Sequence, residues 1–213
     1  MGKYAVTVAI PTIKDNTEQV LELDQFLKSS YGRVQLVVVR EMNSAAINRN
    51  ICIERAKAEI IVMLDDDISG FYTGWIDALI SPLINHPERF SIVSARFRNG
   101  SGGIGNMLGD NSSKEIKDIL QTACHSDRTM LQLVPTATIA FKKTAIRFDE
   151  AYIGAVYEDT DFCMEHRKVF PDKEIVINNA CVLIHYNEQK RGGATGCVKH
   201  NRKYFNEKWG ISV

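Results

Sequence analysis

The chain has 213 residues, 45% of them hydrophobic, and 26 Lys and Arg balance 26 Asp and Glu to a net charge of zero. That length buries a sizeable core as one domain with little room for a second, and a zero net charge excludes global electrostatic capture of nucleic acid or anionic membrane, leaving only a local basic patch. Five cysteines, scattered and without a C-x-x-C, exclude a disulfide framework and a zinc site, and with no signal peptide and no apolar run near ~20 residues a soluble, cytoplasmic protein without an integral membrane segment is expected.

Residues 4–10 (YAVTVAI) form a β-branched run closed by Pro11, hence a first strand. Asp15 and Glu18 are spaced like a helix cap and its reciprocal acidic partner. Val20, Leu21, Leu23, Phe26 and Leu27 then give a helical apolar face to about Ser29. Residues 34–39 (VQLVVV) read as strand two, ending in Arg40 and Glu41. Asn43 and Ser44 open a second helix whose apolar face is Ala45, Ile47, Ile51, Cys52 and Ala56. Residues 59–64 (EIIVML) read as a strand buried on both faces, as at the centre of a parallel sheet. The order β-α-β-α-β predicts right-handed crossovers. A third helix is expected over residues 74–85, broken at Pro82 or closed before Pro87, and a fourth strand over 90–95.

Residues 96–113, rich in Gly, Asn and Ser, read as a long loop, either a binding lid or a plain insertion. Residues 114–124 read as a short helix, and 131–142 as a strand pair or one strand bent at Pro135. A helix is expected to start near Glu158, a last strand over 174–184 to end in His185, and a polar helix to follow Gly192–Gly196.

The chemistry gathers at strand ends. Asp65, Asp66 and Asp67 follow the central strand directly. Adjacent like charges repel, and they make sense around a divalent cation, since Mg2+ and Mn2+ take carboxylate oxygens together with substrate phosphates. Ligands of open α/β sheets bind at the carboxyl ends of strands. The plainer reading is a solvated acidic turn. Glu158, Asp159 and Asp161 open a helix that carries Arg167 and Lys168 later; the helix dipole alone explains that pattern, and a general base explains it equally. His185 at a strand end suits a third metal ligand or a structural histidine.

Taken in order, several segments resemble the nucleotide-sugar glycosyltransferases of the GT-A fold, family-2 type. The segments are Val8 to Thr12, Asn48-Arg49-Asn50, the D-x-D of Leu64-Asp65-Asp66-Asp67, the acceptor-side stretch from Val134 to Phe141 with Phe148-Asp149-Glu150, the E-D-x-D of Glu158 to Asp161, the strand ending in His185, and Asn201 to Trp209. The resemblance implies one α/β GT-A (Rossmann-like) domain over 1–213, a mostly parallel central sheet flanked by helices. Residues 1–95 would be its nucleotide-sugar half and 96–213 its acceptor half and closing segment.

It further implies metal-dependent transfer of a hexosyl or pentosyl unit, from a UDP-sugar first of all, to an acceptor hydroxyl with inversion. Mn2+ or Mg2+ would be held by Asp67, Asp65 and His185. Asp65 would alternatively bind the ribose, with Asp66 supporting. Asp159 would be the base and Glu158 would position the acceptor. Pro11, Thr12, Glu41, Arg49, Lys190 and Arg191 would line the nucleotide or diphosphate, and the Gly192–Gly196 loop would order over it. Where the family carries an acidic residue after strand two, this chain departs from it with Arg40-Glu41, and Glu41 would have to substitute in nucleobase recognition. Glycan, protein and modified nucleic acid stay open as acceptors.

Three other readings compete. Asp65 to Ser69 fits the D-x-D-x-[ST] of a haloacid-dehalogenase-like phosphatase with Asp65 as nucleophile, although that motif usually follows the first strand. A sugar-1-phosphate nucleotidyltransferase would need a basic Gly-rich loop after strand one, where this chain has Pro11-Thr12-Ile13. A non-catalytic nucleotide-sugar or carbohydrate-binding module would bind donor without turnover.

Overall fold

A computed structural model describes residues 5–13, 18–30, 32–41, 43–99, 128–131, 134, 136–186 and 194–210. The elements in order are β1 (Val6–Thr12), α1 (Glu18–Ser30), β2 (Val34–Arg40), α2 (Ala45–Arg55), β3 (Ile60–Leu64), β4 (Ile68–Ser69), α3 (Trp75–Asn85), β5 (Phe90–Asn99), β6 (Arg128–Leu131), β7 (Thr138–Lys142), α4 (Glu158–Val169), β8 (Glu174–His185) and α5 (Ala194–Trp209).

The strands form one sheet in the order β2-β1-β3-β7-β5-β8-β4, with β6 also on β8. β2, β1 and β3 are parallel, as the β-α-β-α-β reading requires. β7 inserts antiparallel between β3 and β5, and β8 runs parallel to β5. Five strands (β1, β2, β3, β5, β8) therefore point one way, while β4, β6 and β7 oppose them. The carboxyl ends of the five share one edge of the sheet, where Thr12, Asp65 and His185 emerge.

Both faces of the sheet are covered. Val6, Val8, Ile10, Val62 and Leu64 pack under Val20, Leu23 and Leu27 of α1 and Trp75, Ile76 and Leu79 of α3. Ala9, Ile61 and Met63 point the other way, to Ala46, Cys52 and Ile53 of α2 and Phe162 and Cys163 of α4. All five residues of β3 are buried, each large one contributing ~1.5–3 kcal/mol, so a charge at Val62 would break the sheet at its centre.

Several elements differ from expectation. β1 runs on through Pro11 and Thr12, because β3 pairs only with residues 6–9 and the missing N–H of Pro11 costs no ladder bond on that side. The buried face of α2 includes Ala46 and Ile53, while Ile47 and Ile51 are only half-buried. α3 continues through Pro82. The Ala78 carbonyl, which loses its helical donor to that proline, accepts instead from Ser81 Oγ at 3.0 Å and Asn178 Nδ2 at 2.6 Å. β5 extends to Asn99, so Arg96 and Arg98 are strand residues; 100–127 lies outside the described residues, as do the expected helix at 114–124 and the bend at Pro135. Among the described residues β6 pairs with β8, and β7 with β3 and β5, rather than with each other. Residues 194–196, expected in a glycine loop, form the first turn of α5.

Candidate active site

The site is built at the carboxyl edge. Ser44 caps α2, its hydroxyl accepting from Ile47 N–H at 3.3 Å, and the helix delivers Arg49 into the molecule, where it is 6% exposed. One arm of the guanidinium meets Glu158 Oε1 at 2.5 Å, and the other meets Asp65 Oδ1 at 3.1 Å. Its cation also lies 5.4 Å from the Phe148 ring, which stacks on Phe162 of α4 at 4.0 Å. Asn50, the next residue, holds Phe148 by both main-chain groups, at 2.9 Å each. Arg49 thus ties the end of β3 to the start of α4. Burial alone would lower its pKa, but Glu158 and Asp65 more than offset this and hold it above the ordinary value.

Asp65 is seated by its own N–H on the Ala137 carbonyl at 2.8 Å. Asp66 turns back to β1 and accepts from the Thr12 hydroxyl. Asp67 is placed by a short antiparallel pairing: Ile68 faces His185 across β4 and β8, and Tyr186 N–H donates to the Asp67 carbonyl at 3.1 Å. His185 Nε2 lies 3.2 Å from Asp67 Oδ1. One ligand atom each from Asp65, Asp67 and His185 falls within 4.8 Å of the others. Two carboxylate oxygens and an imidazole nitrogen fit Mn2+ or Mg2+, with positions left for substrate oxygens. The crowding of like charges at Asp65 and Asp67 is what a cation would relieve.

Asp159, in the first turn of α4, is half-buried. Burial and then the Glu158 charge push its carboxyl up to about 6, against the pull of Arg49. A base with a pKa near working pH combines availability with driving force. Glu158 is 3% exposed and engaged by Arg49. Asp161 is fully buried and accepts from Tyr152, Lys208 and Trp209. The resemblance names Asp159 rather than Asp161 as the base; residue spacing alone does not separate the two.

The expected nucleotide-side residues divide. Pro11 and Thr12 are at the β1 end beside Asp66. Glu41 directs its carboxylate to Asn43 Nδ2 at 3.0 Å and Arg55 Nη2 at 3.2 Å, toward the far end of α2. Lys190 and Arg191 lie outside the described residues, as do Gly192 and Gly193. Asn50 and Asn201, quoted within the resembling segments but given no role there, make main-chain bonds that frame the site; nothing in a lone Asn announces such a role.

The sequence matches the family model for glycosyl transferase family 2 over residues 12–170, well over half the chain. The chain belongs to glycosyl transferase family 2. It is a glycosyltransferase, and the phosphatase and nucleotidyltransferase alternatives give way to that match. His185 lies beyond the matched stretch, so its place beside Asp67 is an independent geometric finding. No curated protein matches the sequence.

Among solved structures, glucosyl-3-phosphoglycerate synthase from Mycobacterium tuberculosis, in complex with Mn2+, UDP and phosphoglyceric acid, is 13% identical with a TM-score of 0.67. The alignment covers 99% of this chain and 80% of that one. GalNAc-T7 with UDP, GalNAc and Mn2+ is 11% identical with a TM-score of 0.55, covering 88% of this glycosyltransferase and 44% of that chain. At such identities the likeness is one of fold, the GT-A arrangement. No helix of the described residues is long and apolar enough to cross a membrane.

Proposed function

We propose that this glycosyltransferase moves a hexosyl or pentosyl unit from a UDP-sugar to an acceptor hydroxyl, with inversion. The observation that carries the reading is the convergence of Asp65, Asp67 and His185 within 4.8 Å, joined through Arg49 to the helix start that bears Asp159. Structures of the same fold contain UDP-glucose and Mn2+, or Mg2+, which supports the donor and metal class.

Asp65, Asp67 and His185 would hold Mn2+ or Mg2+, which neutralises charge growing on the departing diphosphate. Thr12 and Asp66 at the β1 end shape the nucleotide side, and Pro11 sets the chain's exit. Asp159 takes the proton as the acceptor oxygen attacks the anomeric carbon opposite the leaving group. Arg49 keeps Glu158 and Asp65 in register with that base. Residues 1–95 supply the donor half and 96–213 the acceptor half, in a protein working in the cytoplasm. The acceptor is a glycan, a protein or a modified nucleic acid.

The test is Asp159→Asn. Mn2+-dependent UDP binding by calorimetry should stay within about twofold of wild type while transfer falls at least a hundredfold, the scale of a lost general base. Near-normal transfer would remove Asp159 from the mechanism; absent UDP binding in the wild type, with or without Mn2+, would remove the donor class.

A further inference from the structure

The turn that leads into α4 is strained and is held from outside. Gly154, Val156 and Tyr157 have φ of 66°, 100° and 74°. For a β-branched residue such as Val156 this is a conformation that persists only when surrounding structure over-determines it. Tyr157 caps α4 without a side-chain bond, and its carbonyl accepts the helical bond from Asp161 N–H at 2.9 Å. The shape of this turn therefore sets where the first turn of α4 points.

Asn201 of α5 supplies the hold. Its side chain is fully buried and all its bonds go to the main chain of this turn. Oδ1 accepts from Ile153 N–H at 3.0 Å. Nδ2 donates to the carbonyls of Ile153 and Val156, at 2.9 Å each. α2 adds one bond, from Ala45 N–H to the Gly154 carbonyl at 2.7 Å. Attachment of α5 as such is served elsewhere, by Phe205 packed with Tyr152 and Tyr157 and by Lys208 and Trp209 on Asp161. The asparagine bonds are separate from those contacts and go to the turn itself. They do select a backbone shape that Val156 would otherwise leave.

We propose that Asn201 is a positioning residue for transfer: its carboxamide holds turn 153–157 in the strained form that starts α4 with Asp159 beside Arg49 and Asp65. The inference rests on Asp159 being the base. It assigns part of the catalytic geometry to the C-terminal helix, outside the stretch that matches the family.

The experiment compares wild type, Asn201→Ala, Asn201→Ala/Val156→Gly and Asp159→Asn. Glycine adopts positive φ without strain, so it should restore the turn without the brace. Asn201→Ala should bind UDP with Mn2+ within about twofold of wild type by calorimetry, yet release UDP from UDP-glucose at least tenfold more slowly, the fall lying in kcat rather than donor KM. The double variant should recover most of that rate. Without any donor, exchange of the Asp161 amide should accelerate in Asn201→Ala and slow again in the double variant. Unchanged turnover or exchange in Asn201→Ala overturns the inference. So does a loss that Val156→Gly does not restore, or a double variant that fails to fold, since Asn201 is then a structural prop alone. Normal turnover by Asp159→Asn overturns the base assignment first and this inference with it, a failure visible without touching Asn201.

Discussion

At the scale of single residues, Arg49 is the group whose surroundings decide most. It is one buried cation shared by Glu158 and Asp65, with Asp159 adding to the same field. Removing one partner of a buried ion pair leaves an uncompensated charge and costs about 3–5 kcal/mol. Arg49→Met should lower stability on that scale, read from the urea midpoint of the metal-free protein. Arg49→Lys keeps the charge but not the fork that spans two carboxylates, so it should recover only part of the loss. A change below about 1 kcal/mol for the methionine would mean that the carboxylates reorganise or take up protons. Arg49 also marks a limit of reading the chain alone. The Asn48-Arg49-Asn50 motif was visible and suggested a place near nucleotide or diphosphate; the ion pair with Glu158, far along the chain, is brought about only by the fold.

At the scale of elements, α4 carries two unlike ends. Its first turn serves the site, while His166 near its other end is 1% exposed among the rings of Phe141, Phe162 and Phe170. Among the described residues, neither ring nitrogen of His166 has a hydrogen-bond partner. Burial drives its pKa down from 6.5 to about 4. The unfolded chain then binds this proton before the folded one, so stability is intact above about pH 6.5 and is lost as pH falls toward 4. At ~1.4 kcal/mol per pKa unit the loss amounts to about 3 kcal/mol. His166→Leu should flatten that part of the stability–pH curve, measured by urea unfolding at pH 7 and pH 4.5; an equally steep curve would place the acid sensitivity elsewhere.

Helix α4 itself was legible from its acidic start and basic later turn. Spacing alone left the role of each carboxylate open, and only the resemblance assigned the base to Asp159. Asp159 and Asp161 are alike in spacing and differ only in who meets them, and the donors on Asp161 come from Tyr152 and from the far end of α5. Strands with uniform apolar runs, β3 above all, were readable because burial on both faces leaves no alternation. β4, two residues long, has no pattern of its own and exists only by pairing with β8.

At the scale of the whole molecule, the sheet brings the carboxyl ends of five co-directed strands to one edge, where Asp65, Asp67 and His185 gather. A ligand that binds only the folded state raises its melting temperature by mass action, by RT ln(1 + [L]/Kd) in free energy. UDP with Mn2+ at about 100 times its Kd should therefore add about 2.7 kcal/mol, which is a shift of several degrees for a protein of this size. UDP or Mn2+ alone should give less. An equal shift from UDP with and without the cation would argue against the carboxylate–histidine centre as the link between them. The broad β-α-β plan and the three metal-capable residues were foreseeable from residue order, but the antiparallel insertion of β7 was not, because strand pairing between distant segments leaves no local trace.

The pairing of β4 with β8 has a consequence for how the protein is made. A ribosome delivers Asp65 and Asp67 well over a hundred residues before His185. Domains fold as the chain emerges, N-terminal parts first, yet the last long strand must be in hand before Ile68 can face His185. A nascent or prematurely terminated chain thus carries the two carboxylates without their imidazole, and the capacity to hold the cation with all three groups arrives only with β8.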